Sequence, residues 1–507
     1  MIIISLLLLV VLLVHHYVRK DRLFLSKRIP CETSFPLVGS LLAALREGVL
    51  RHDMSAIRKY GSVHGSFLGI IPNLVIAKPE FIKEILVTQF ENFQQRIHVL
   101  YISDWWDNSV VMSSGHHWRY MRSVITPAFN STKVRDMFRQ MSYCLREMDS
   151  FLHEKFVHLR SIEMDMRPFF SAMTLDVLCN TSFGHNTSTL RNSDSDFTRH
   201  AKILSTLNIE SNALNGLPMV IPGMKHVFKW LDLDYVNKNS LQFIKDKLTT
   251  MINDRKTINA TEYTNDTLQN LIDANNNTCD LREYMELPGA KEYCVRKKMG
   301  LNDDELVANA IVVLMAGYDT TATTLTWMAY LLATNPHVQK KLVQAIDGIP
   351  DDEHDDFDAI MRLEYLDWFL SETLRLFPAA NRTGRDATVD TTVCGVNIYE
   401  GMSLTIPIYA IHRMPEYWER PNECIPERFA PENKHRIIPY TYLPFGAGPR
   451  ACLGVKMAQM LCKVIMVNFL KNYTFAVSTK TEADPVLETS LLTKPLNGVV
   501  LNIVRRD

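Results

Sequence analysis

The N-terminal segment is the most apolar part of the chain. Residues 1–14 are almost entirely Ile, Leu and Val, and the only titratable side chains before Arg19 are His15 and His16. A helix that spans a bilayer needs about 20 apolar residues, so residues 1–18 are just long enough. Basic residues follow this segment and none precede it, which favours a cytosolic position for the rest of the chain. A cleaved signal peptide is the alternative, but the usual basic start and small-residue cleavage site are not seen. We therefore expect a retained membrane anchor.

A short linker and a small hairpin follow the anchor. Pro30 and Pro36 stiffen the linker, because proline fixes φ and stops a helix from running through. Apolar and polar residues alternate along residues 62–77, and Pro72-Asn73 gives a turn signal within this stretch. The segment therefore predicts a pair of antiparallel strands.

Helical patterns dominate from about residue 79 to residue 300, broken by short polar stretches. The clearest run covers residues 303–335, where apolar side chains at helical spacing predict a long core helix. Residues 253–298 are rich in Asn, Thr, Asp and Glu and predict a long surface connection. Residues 214–224 carry few charges, and two interpretations are open: a segment that dips into the membrane surface, or a buried loop. The pattern indicates a mainly α chain with minor β, made of an anchor (residues 1–18), a basic linker with prolines (residues 19–40) and one large domain (residues 41–507).

Composition excludes some classes of function. The 507 residues include 55 Lys and Arg against 56 Asp and Glu, a balance that gives no sign of nucleic-acid binding. The nine cysteines contain no CxxC pair, and an odd number in so large a chain argues against a disulfide framework. We expect reduced thiols in a domain that faces the cytosol.

The most informative segment is residues 445–454, Phe-Gly-Ala-Gly-Pro-Arg-Ala-Cys-Leu-Gly. Its glycines and proline predict a tight loop, and the residues from Leu453 onward predict the start of a helix. Cys452 would then lie at a helix N-terminus and close to Arg450, and both features are expected to lower the pKa of its thiol. Most cysteines in apolar loops are passive core residues. An inert thiol, however, does not require glycines that let the backbone approach its sulfur, so we interpret Cys452 as a functional thiolate.

The same loop resembles the ligand loop of the cytochrome P-450 superfamily, FxxGxRxCxG. Every fixed position of that motif is filled, by Phe445, Gly448, Arg450, Cys452 and Gly454. The resemblance implies the large triangular, mainly helical fold of these haem-thiolate monooxygenases, preceded here by one transmembrane helix. It also implies haem b as the cofactor and Cys452 as the ligand of its iron.

A second matching segment lies inside the long predicted helix, at residues 316–321, Ala-Gly-Tyr-Asp-Thr-Thr. Glycine lacks a packing side chain and threonine hydroxyls compete for backbone carbonyls, so this segment predicts a kink. In the superfamily such a kink makes room for dioxygen. The resemblance implies that Thr320 hydrogen-bonds the oxygen and that Asp319 helps to relay protons to it.

Two further motifs concern how the haem and its loop are held. Glu372 and Arg375 match the superfamily's ExxR, and Arg428 supplies the third partner, so the resemblance implies a buried network that braces the loop of Cys452. Trp118 and Arg122 match WxxxR and lie one helical turn apart. Similarity assigns this pair, together with Arg385 and Arg450, to the haem propionates, since a buried dianion needs such partners.

The matches extend from the anchor to the C-terminal region. Four segments look most like the animal microsomal branch of drug and steroid hydroxylases and thromboxane synthase: residues 118–129, 316–321, 375–378 and 408–418. The resemblance implies that one atom of dioxygen is inserted into an apolar substrate such as a steroid, a fatty acid or a foreign compound. Electrons would come from NADPH through a membrane-bound reductase, with cytochrome b5 as an additional partner, at the endoplasmic reticulum membrane.

Two other functions remain open. One is a haem-thiolate isomerase of the thromboxane synthase type, which needs no reductase, although Asp319 and Thr320 argue against it. The other is a membrane haem protein or scaffold without catalysis, against which the intact motifs argue.

Some residues have no clear function from the sequence. By similarity, Trp105 and Trp106 lie in a segment that caps the substrate pocket, although Trp is as often a core residue. His116 and His117 are adjacent, so they point apart and are poorly placed to bind one metal ion. The basic residues that flank the ligand loop are candidates for contact with an acidic reductase: Lys434, Arg436, Lys456 and Lys463.

Overall fold

The computed structural model describes residues 2–97, 104–205, 227, 230–231, 236–257, 266–275, 282–287, 289–290, 300–350, 356–488 and 490–506. Residues 214–224 lie outside the described residues, as does much of the polar stretch at residues 253–298. The described part of that stretch includes the helix Thr267–Asn275, whose Leu268 and Leu271 are buried in the core, so the prediction of a surface connection is wrong there. Helices account for most of the described chain. They are α1 (Ile2–Leu23), α2 (Leu41–Glu47), α3 (Val49–Tyr60), α4 (Pro79–Lys83), α5 (Asp104–Asp107), α6 (Gly115–Ile125), α7 (Ser131–Lys155), α8 (Met166–Phe183), α9 (Asp196–Ser205), α10 (Lys238–Thr257), α11 (Thr267–Asn275), α12 (Arg282–Met285), α13 (Asp303–Thr334), α14 (Pro336–Asp347), α15 (Phe357–Met361), α16 (Glu364–Leu376), α17 (Ile408–Ile411), α18 (Pro431–Lys434) and α19 (Val455–Asn472).

The strands form small sheets at the periphery of the helices. They are β1 (Val63–Leu68), β2 (Ile71–Ile76), β3 (Ser161–Asp165), β4 (Thr383–Asp386), β5 (Thr391–Val393), β6 (Val396–Ile398), β7 (Ser403–Ile406), β8 (Tyr473–Val477) and β9 (Val500–Arg505). One sheet has the order β1-β2-β7-β4, a second has the order β3-β9-β8, and β5 pairs with β6. The prediction of a mainly helical chain with minor sheet is therefore confirmed.

The anchor helix continues beyond the predicted anchor and contacts the domain. Arg19 donates to the carbonyl of Ile70 at 2.8 Å, and Lys20 donates to the carbonyl of Glu32 at 2.7 Å. The carboxylate of Glu32 is buried and contacts Nε2 of His52 at 3.1 Å and Nε2 of His64 at 3.0 Å. This charged cluster joins the linker to α3 and β1.

The predicted hairpin is present, but its turn was wrongly placed. Phe67 pairs with Pro72 and Leu68 with Ile71, so the chain reverses at Gly69-Ile70 and Pro72 lies within β2. Gly69 adopts a φ of 63°, which glycine tolerates better than other residues. The turn therefore forms at the residue that can enter the left-handed region.

The long helix α13 is the centre of the larger hydrophobic core. It begins at a capping box, in which Asn302 accepts from the Glu305 N–H and Glu305 accepts from the Asn302 N–H. In the part of the chain where side chains are described, α13 is the one helix long and apolar enough to cross a membrane, and 72% of its most apolar window is buried inside the domain. It packs against α8, α16 and α19 as a core helix, which agrees with the prediction for residues 303–335.

Candidate active site

One cavity of about 390 Å³ lies between α13 and the loop that precedes α19. This is within the size range of small-molecule sites. The helix contributes Ala316, Gly317 and Thr320 to the wall, and the loop contributes Phe445 and Cys452. The two segments that the sequence singled out are therefore on opposite sides of one cavity.

The loop is held in a compact conformation by backbone hydrogen bonds. The N–H of Cys452 donates to the carbonyl of Phe445 at 2.9 Å, and the N–H of Gly446 donates to the carbonyl of Leu443 at 3.0 Å. Helix α19 begins at Val455, after the N-cap residue Gly454. The helix thus starts two residues later than predicted, with Cys452 just before it.

The expected low pKa of the Cys452 thiol is not found in the protein alone. The thiol is accessible from the cavity but lies deep in the molecule, and burial raises its pKa. A hydrogen bond from the backbone of Gly454 and the charges of Arg122 and Arg96 act in the opposite direction without overcoming burial. Desolvation penalises a thiolate more than the helix N-terminus favours it, which the sequence argument did not weigh.

The glycines of the loop are needed for a reason other than access to the sulfur. Gly448 has a φ of 72°, and a Cβ there would collide with the carbonyl oxygen of Leu86. Gly448 thus permits the loop to pack against the turn at Glu84–Thr88. A Cβ on Gly454 would meet nothing within 4 Å, so space does not require glycine at that position.

Arginines line the cavity near the loop. Arg122, Arg385 and Arg450 are all in its wall, and so is Arg96, which the sequence analysis did not identify. Arg122 donates to the carbonyl of Ala451 at 2.8 Å. Arg450 also stacks on the ring of Trp118, with 4.3 Å between its guanidinium carbon and the ring centroid.

These guanidinium groups are poorly compensated. Burial lowers the pKa of Arg450 to about 8 and that of Arg385 to about 9, with neighbouring arginines adding to both shifts. The Nε atoms of Arg96, Arg385 and Arg450 have no hydrogen-bond partner, and among the described residues none of the four arginines pairs with a carboxylate. Buried cations without anions are costly, so this wall fits a ligand with two negative charges, as a haem with its two propionates has.

Arg96 could not be found from the sequence because no motif surrounds it. It lies in the connection after α4, and only the three-dimensional structure brings it to Arg450, whose carbonyl is 3.4 Å from Arg96 Nη2.

The two predicted catalytic residues, Thr320 and Asp319, lie on different faces of α13. Thr320 lines the cavity, and its hydroxyl donates to the carbonyl of Ala316 at 2.5 Å. Asp319 is not part of the cavity wall; its carboxylate is buried and forms an ion pair with Lys494, from the segment between β8 and β9. Lys494 has no sequence signal that links it to α13. The helix stays continuous through this region, and the Thr320 hydroxyl bonds the Ala316 carbonyl, which is the competition on which the kink was predicted. The kink itself stays a prediction.

The predicted bracing network is present. Glu372 and Arg375 are fully buried and joined by two hydrogen bonds of 2.7 and 2.8 Å. Arg428 Nε reaches the same carboxylate at 3.3 Å. This arrangement differs from the surface pair that the spacing alone would suggest.

Several remaining residues are now placed. Trp105 and Trp106 are partly buried and pack against the core, and neither is in the cavity wall. His117 contacts Glu305 at 2.8 Å. Lys463 is fully buried and binds Asp367 at 2.8 Å, so its predicted contact with a reductase is wrong.

Comparisons with known proteins identify the family of the chain. The family model Cytochrome P-450 matches residues 29–502. Cytochrome P-450 3A11 of Mus musculus is 32% identical over 491 residues, which cover 96% of this chain and 94% of the mouse protein. Cytochrome P-450 3A6 of Oryctolagus cuniculus is 32% identical over 487 residues (96% and 93% covered). Lithocholate 6-beta-hydroxylase of Mesocricetus auratus is 31% identical over 482 residues (94% and 92% covered). A cavity with a cysteine on one wall, arginines beside it and a threonine-bearing helix opposite thus occurs in a chain that belongs to the cytochrome P-450 family of haem-thiolate monooxygenases.

Proposed function

We propose that this protein hydroxylates or epoxidises apolar organic molecules with electrons from an NADPH-dependent reductase. The observation that carries the proposal is the single cavity that brings together the Cys452 thiol, the arginine cluster and Thr320. In this proposal Cys452 binds the iron of haem b. The propionates are bound by Trp118, Arg122, Arg385, Arg450 and Arg96. The loop around Cys452 is shaped by Phe445, Gly448 and Gly454.

Each element of the chain has a defined task in this mechanism. The haem supplies the oxidising chemistry, and thiolate ligation favours cleavage of the O–O bond. Ala316 presents only a methyl group to the cavity, which leaves room for a small molecule. Gly317 serves the packing of α13 on α8 instead, because a Cβ there would lie 3.0 Å from the side chain of Leu178. Thr320 holds a hydroxyl at that surface, and Asp319 holds a carboxylate one residue away that can exchange a proton when its contact with Lys494 opens.

With the four arginines assigned to the propionates, the rest of the cavity wall favours apolar contact with a substrate. Asn309 lies in the wall but is fully engaged: its Oδ1 accepts from the Val110 N–H at 2.9 Å and its Nδ2 donates to the Glu305 carbonyl at 2.7 Å. Arg382 is likewise paired with Asp53. Polar groups that already have partners offer little to a polar ligand, so binding would depend on apolar contact. Steroids, fatty acids and many foreign compounds offer a large apolar surface for such contact, and one relative is named as a hydroxylase of lithocholate.

The proposed location is the endoplasmic reticulum membrane, with α1 as a single-pass anchor and residues 41–507 in the cytosol. Residues 1–18 would lie in the bilayer, and residues 19–40 would connect them to the domain. Lys434, Arg436 and Lys456 are exposed and remain candidates for contact with an acidic reductase or cytochrome b5. Lys456 also donates to the hydroxyl of Ser131 at 2.7 Å.

One observation supports a second candidate, an isomerase that rearranges a peroxide without a reductase. The Asp319 carboxylate is paired with Lys494 outside the cavity wall, so the acid that a reductive reaction requires is not presented to the cavity. The monooxygenase proposal therefore requires that this ion pair opens, whereas an isomerase does not.

The first experiment is the absorption spectrum of the reduced protein with carbon monoxide. The wild type should give the strongly red-shifted band of thiolate-ligated haem, Cys452→Ala should lose it, and Cys144→Ala, which alters a buried cysteine away from the cavity, should keep it. A wild-type spectrum without this band would refute the ligand assignment.

The second experiment measures product formation from apolar substrates with NADPH and reductase, and from an organic endoperoxide without them. Product that depends on the reductase supports the monooxygenase. Product from the endoperoxide alone supports the isomerase.

A further inference from the structure

His412 is a fully buried titratable residue to which the sequence analysis gave no function. It follows α17 directly, and each of its ring nitrogens bonds to the backbone. Nδ1 lies 3.1 Å from the carbonyl oxygen of Arg375, and Nε2 lies 2.8 Å from the backbone nitrogen of Leu443. These partners belong to two different parts of the site.

The two partners fix the state of the ring. A carbonyl oxygen can only accept, so Nδ1 must carry the hydrogen, and the Leu443 N–H can only donate, so Nε2 must be the acceptor. Both bonds therefore require the neutral imidazole. Burial, with the charge of Arg375 as a smaller cause, lowers the pKa of His412 to about 3. The ring is thus neutral at any pH at which the protein would work.

The first partner connects His412 to the bracing network. Arg375 is bound to Glu372 through its guanidinium group, and the same guanidinium donates to the carbonyl of His412 at 2.8 Å. The ring of His412 in turn donates to the Arg375 carbonyl. The two residues therefore hold each other through both backbone and side chain.

The second partner connects His412 to the ligand loop. Leu443 is buried, and its carbonyl accepts from the Gly446 N–H at 3.0 Å. The N–H of Cys452 donates to the carbonyl of Phe445 at 2.9 Å. The bond from Leu443 to His412 is thus at the point where the chain enters the loop that presents Cys452.

We propose that His412 is a positioning residue that transmits the rigidity of the Glu372–Arg375–Arg428 network to the loop of Cys452. The inference rests on the assignment of Cys452 as the iron ligand in the proposed function. A histidine that served only as core filler would also need partners for its two ring nitrogens. Its replacement would, however, affect overall stability without a specific effect on the loop.

A pair of amide substitutions separates these two possibilities. Gln places its carbonyl oxygen at about the reach of Nε2 and can still accept from Leu443, whereas Asn reaches only as far as Nδ1 and can bond Arg375 but not the loop. Tyr442→Phe is the matched control, because it removes a buried hydrogen bond to the Ser371 carbonyl beside the same ring and leaves the Leu443 bond in place.

The measurement is amide hydrogen exchange of Leu443 in the haem-loaded full chain, together with the reduced carbon-monoxide spectrum. We expect His412→Asn to accelerate exchange at Leu443 on the order of tenfold, since one hydrogen bond is lost. The fraction of thiolate-ligated haem should fall in the same variant. His412→Gln and Tyr442→Phe should stay within about threefold of the wild-type exchange rate, with the thiolate fraction retained.

Equal protection of Leu443 in the Asn and Gln variants, with an unchanged thiolate band in both, would overturn the proposal. So would a loss of thiolate ligation in Tyr442→Phe as large as that in His412→Asn. A wild-type protein that shows no thiolate band would refute the ligand assignment instead. Exchange at Leu443 reports the hydrogen bond without reference to the haem spectrum, so the two failures are distinguishable.

Discussion

The substitution Glu372→Gln removes the carboxylate charge of Glu372 with little change of shape. It is the most direct test of the network that braces the ligand loop. Its Oε1 accepts from Arg375 Nη2 at 2.8 Å, from the Ile425 N–H at 2.9 Å and from Arg428 Nε at 3.3 Å. Its Oε2 accepts from Arg375 Nε at 2.7 Å. A glutamine offers one acceptor oxygen instead of two, and its NH₂ group would face one of these N–H donors.

The magnitude follows from the burial of the pair. Glu372 and Arg375 have no exposed side-chain surface, and Arg428 is only 12% exposed. Breaking a buried ion pair leaves an uncompensated charge and typically costs about 3–5 kcal/mol. We therefore expect Glu372→Gln to lower the free energy of unfolding by about this amount, and to reduce haem content because the ligand loop loses its brace.

An exposed pair with the same order and spacing is the control. Asp136 and Arg139 on α7 are 3.2 Å apart, with side chains 33% and 72% exposed. Exposed pairs contribute about 0–1 kcal/mol, so Asp136→Asn should change stability by less than about 0.5 kcal/mol. Urea unfolding followed by far-ultraviolet circular dichroism compares the variants, with the slope checked for constancy. If Glu372→Gln shifts the urea midpoint no more than Asp136→Asn does, the argument from burial is wrong.

Three further predictions test other parts of the structure. Gly448→Ala should yield little haem-loaded protein in a purification comparison with Gly454→Ala, because its Cβ would collide with a backbone carbonyl. Lys494→Met should destabilise the fold by about 3 kcal/mol in urea unfolding, because it strands the buried carboxylate of Asp319, and adding Asp319→Asn should restore most of the loss. The stability advantage of wild type over Glu32→Gln should be largest between about pH 4.3 and 6.5. Burial raises the pKa of Glu32, but hydrogen bonds from two histidines outweigh burial and lower it to about 2. The stability that the Glu32 carboxylate contributes is therefore lost as the pH falls below that window. The hydrogen bond to Glu32, opposed by burial, raises the pKa of His52. The stability that protonated His52 contributes is therefore lost as the pH rises above the window. A stability advantage that does not vary with pH would refute this reasoning.

The long core helix was predictable because its residues are apolar over many turns. The run at residues 303–335 gave α13 to within one residue, and residues 321–333 are buried on every side of the helix, so length and apolar content supported the prediction more than a single buried face did. The hairpin was predicted but its turn was misplaced, because Pro72-Asn73 is a stronger signal in composition than Gly69. Proline is tolerated within β2 at a position opposite Phe67, and the backbone conformation at Gly69 decided where the chain reverses.

The site was predictable where a motif is local and not where partners are distant in the chain. Cys452, Thr320 and the Glu372–Arg375 pair lie in short motifs, and the structure brings them to the expected places. Arg96 and Lys494 act through contacts with residues far away in the sequence, and no spacing links them to those partners. His412 is of the same kind, since its two bonds span 37 and 31 residues.

The error about the Cys452 thiol shows how the charges of the site depend on one another. Burial raises the pKa of this thiol and lowers the pKa of Arg385 and Arg450, so the chain alone disfavours the charged form of both kinds of group. A metal cation bound to the sulfur favours the thiolate, and carboxylates beside the guanidinium groups favour the protonated arginines. A cofactor that carries a central cation and two peripheral anions corrects both imbalances at once. The same low dielectric that penalises the separate charges makes their pairing strong, and for this reason the arrangement selects a ligand with haem's distribution of charge.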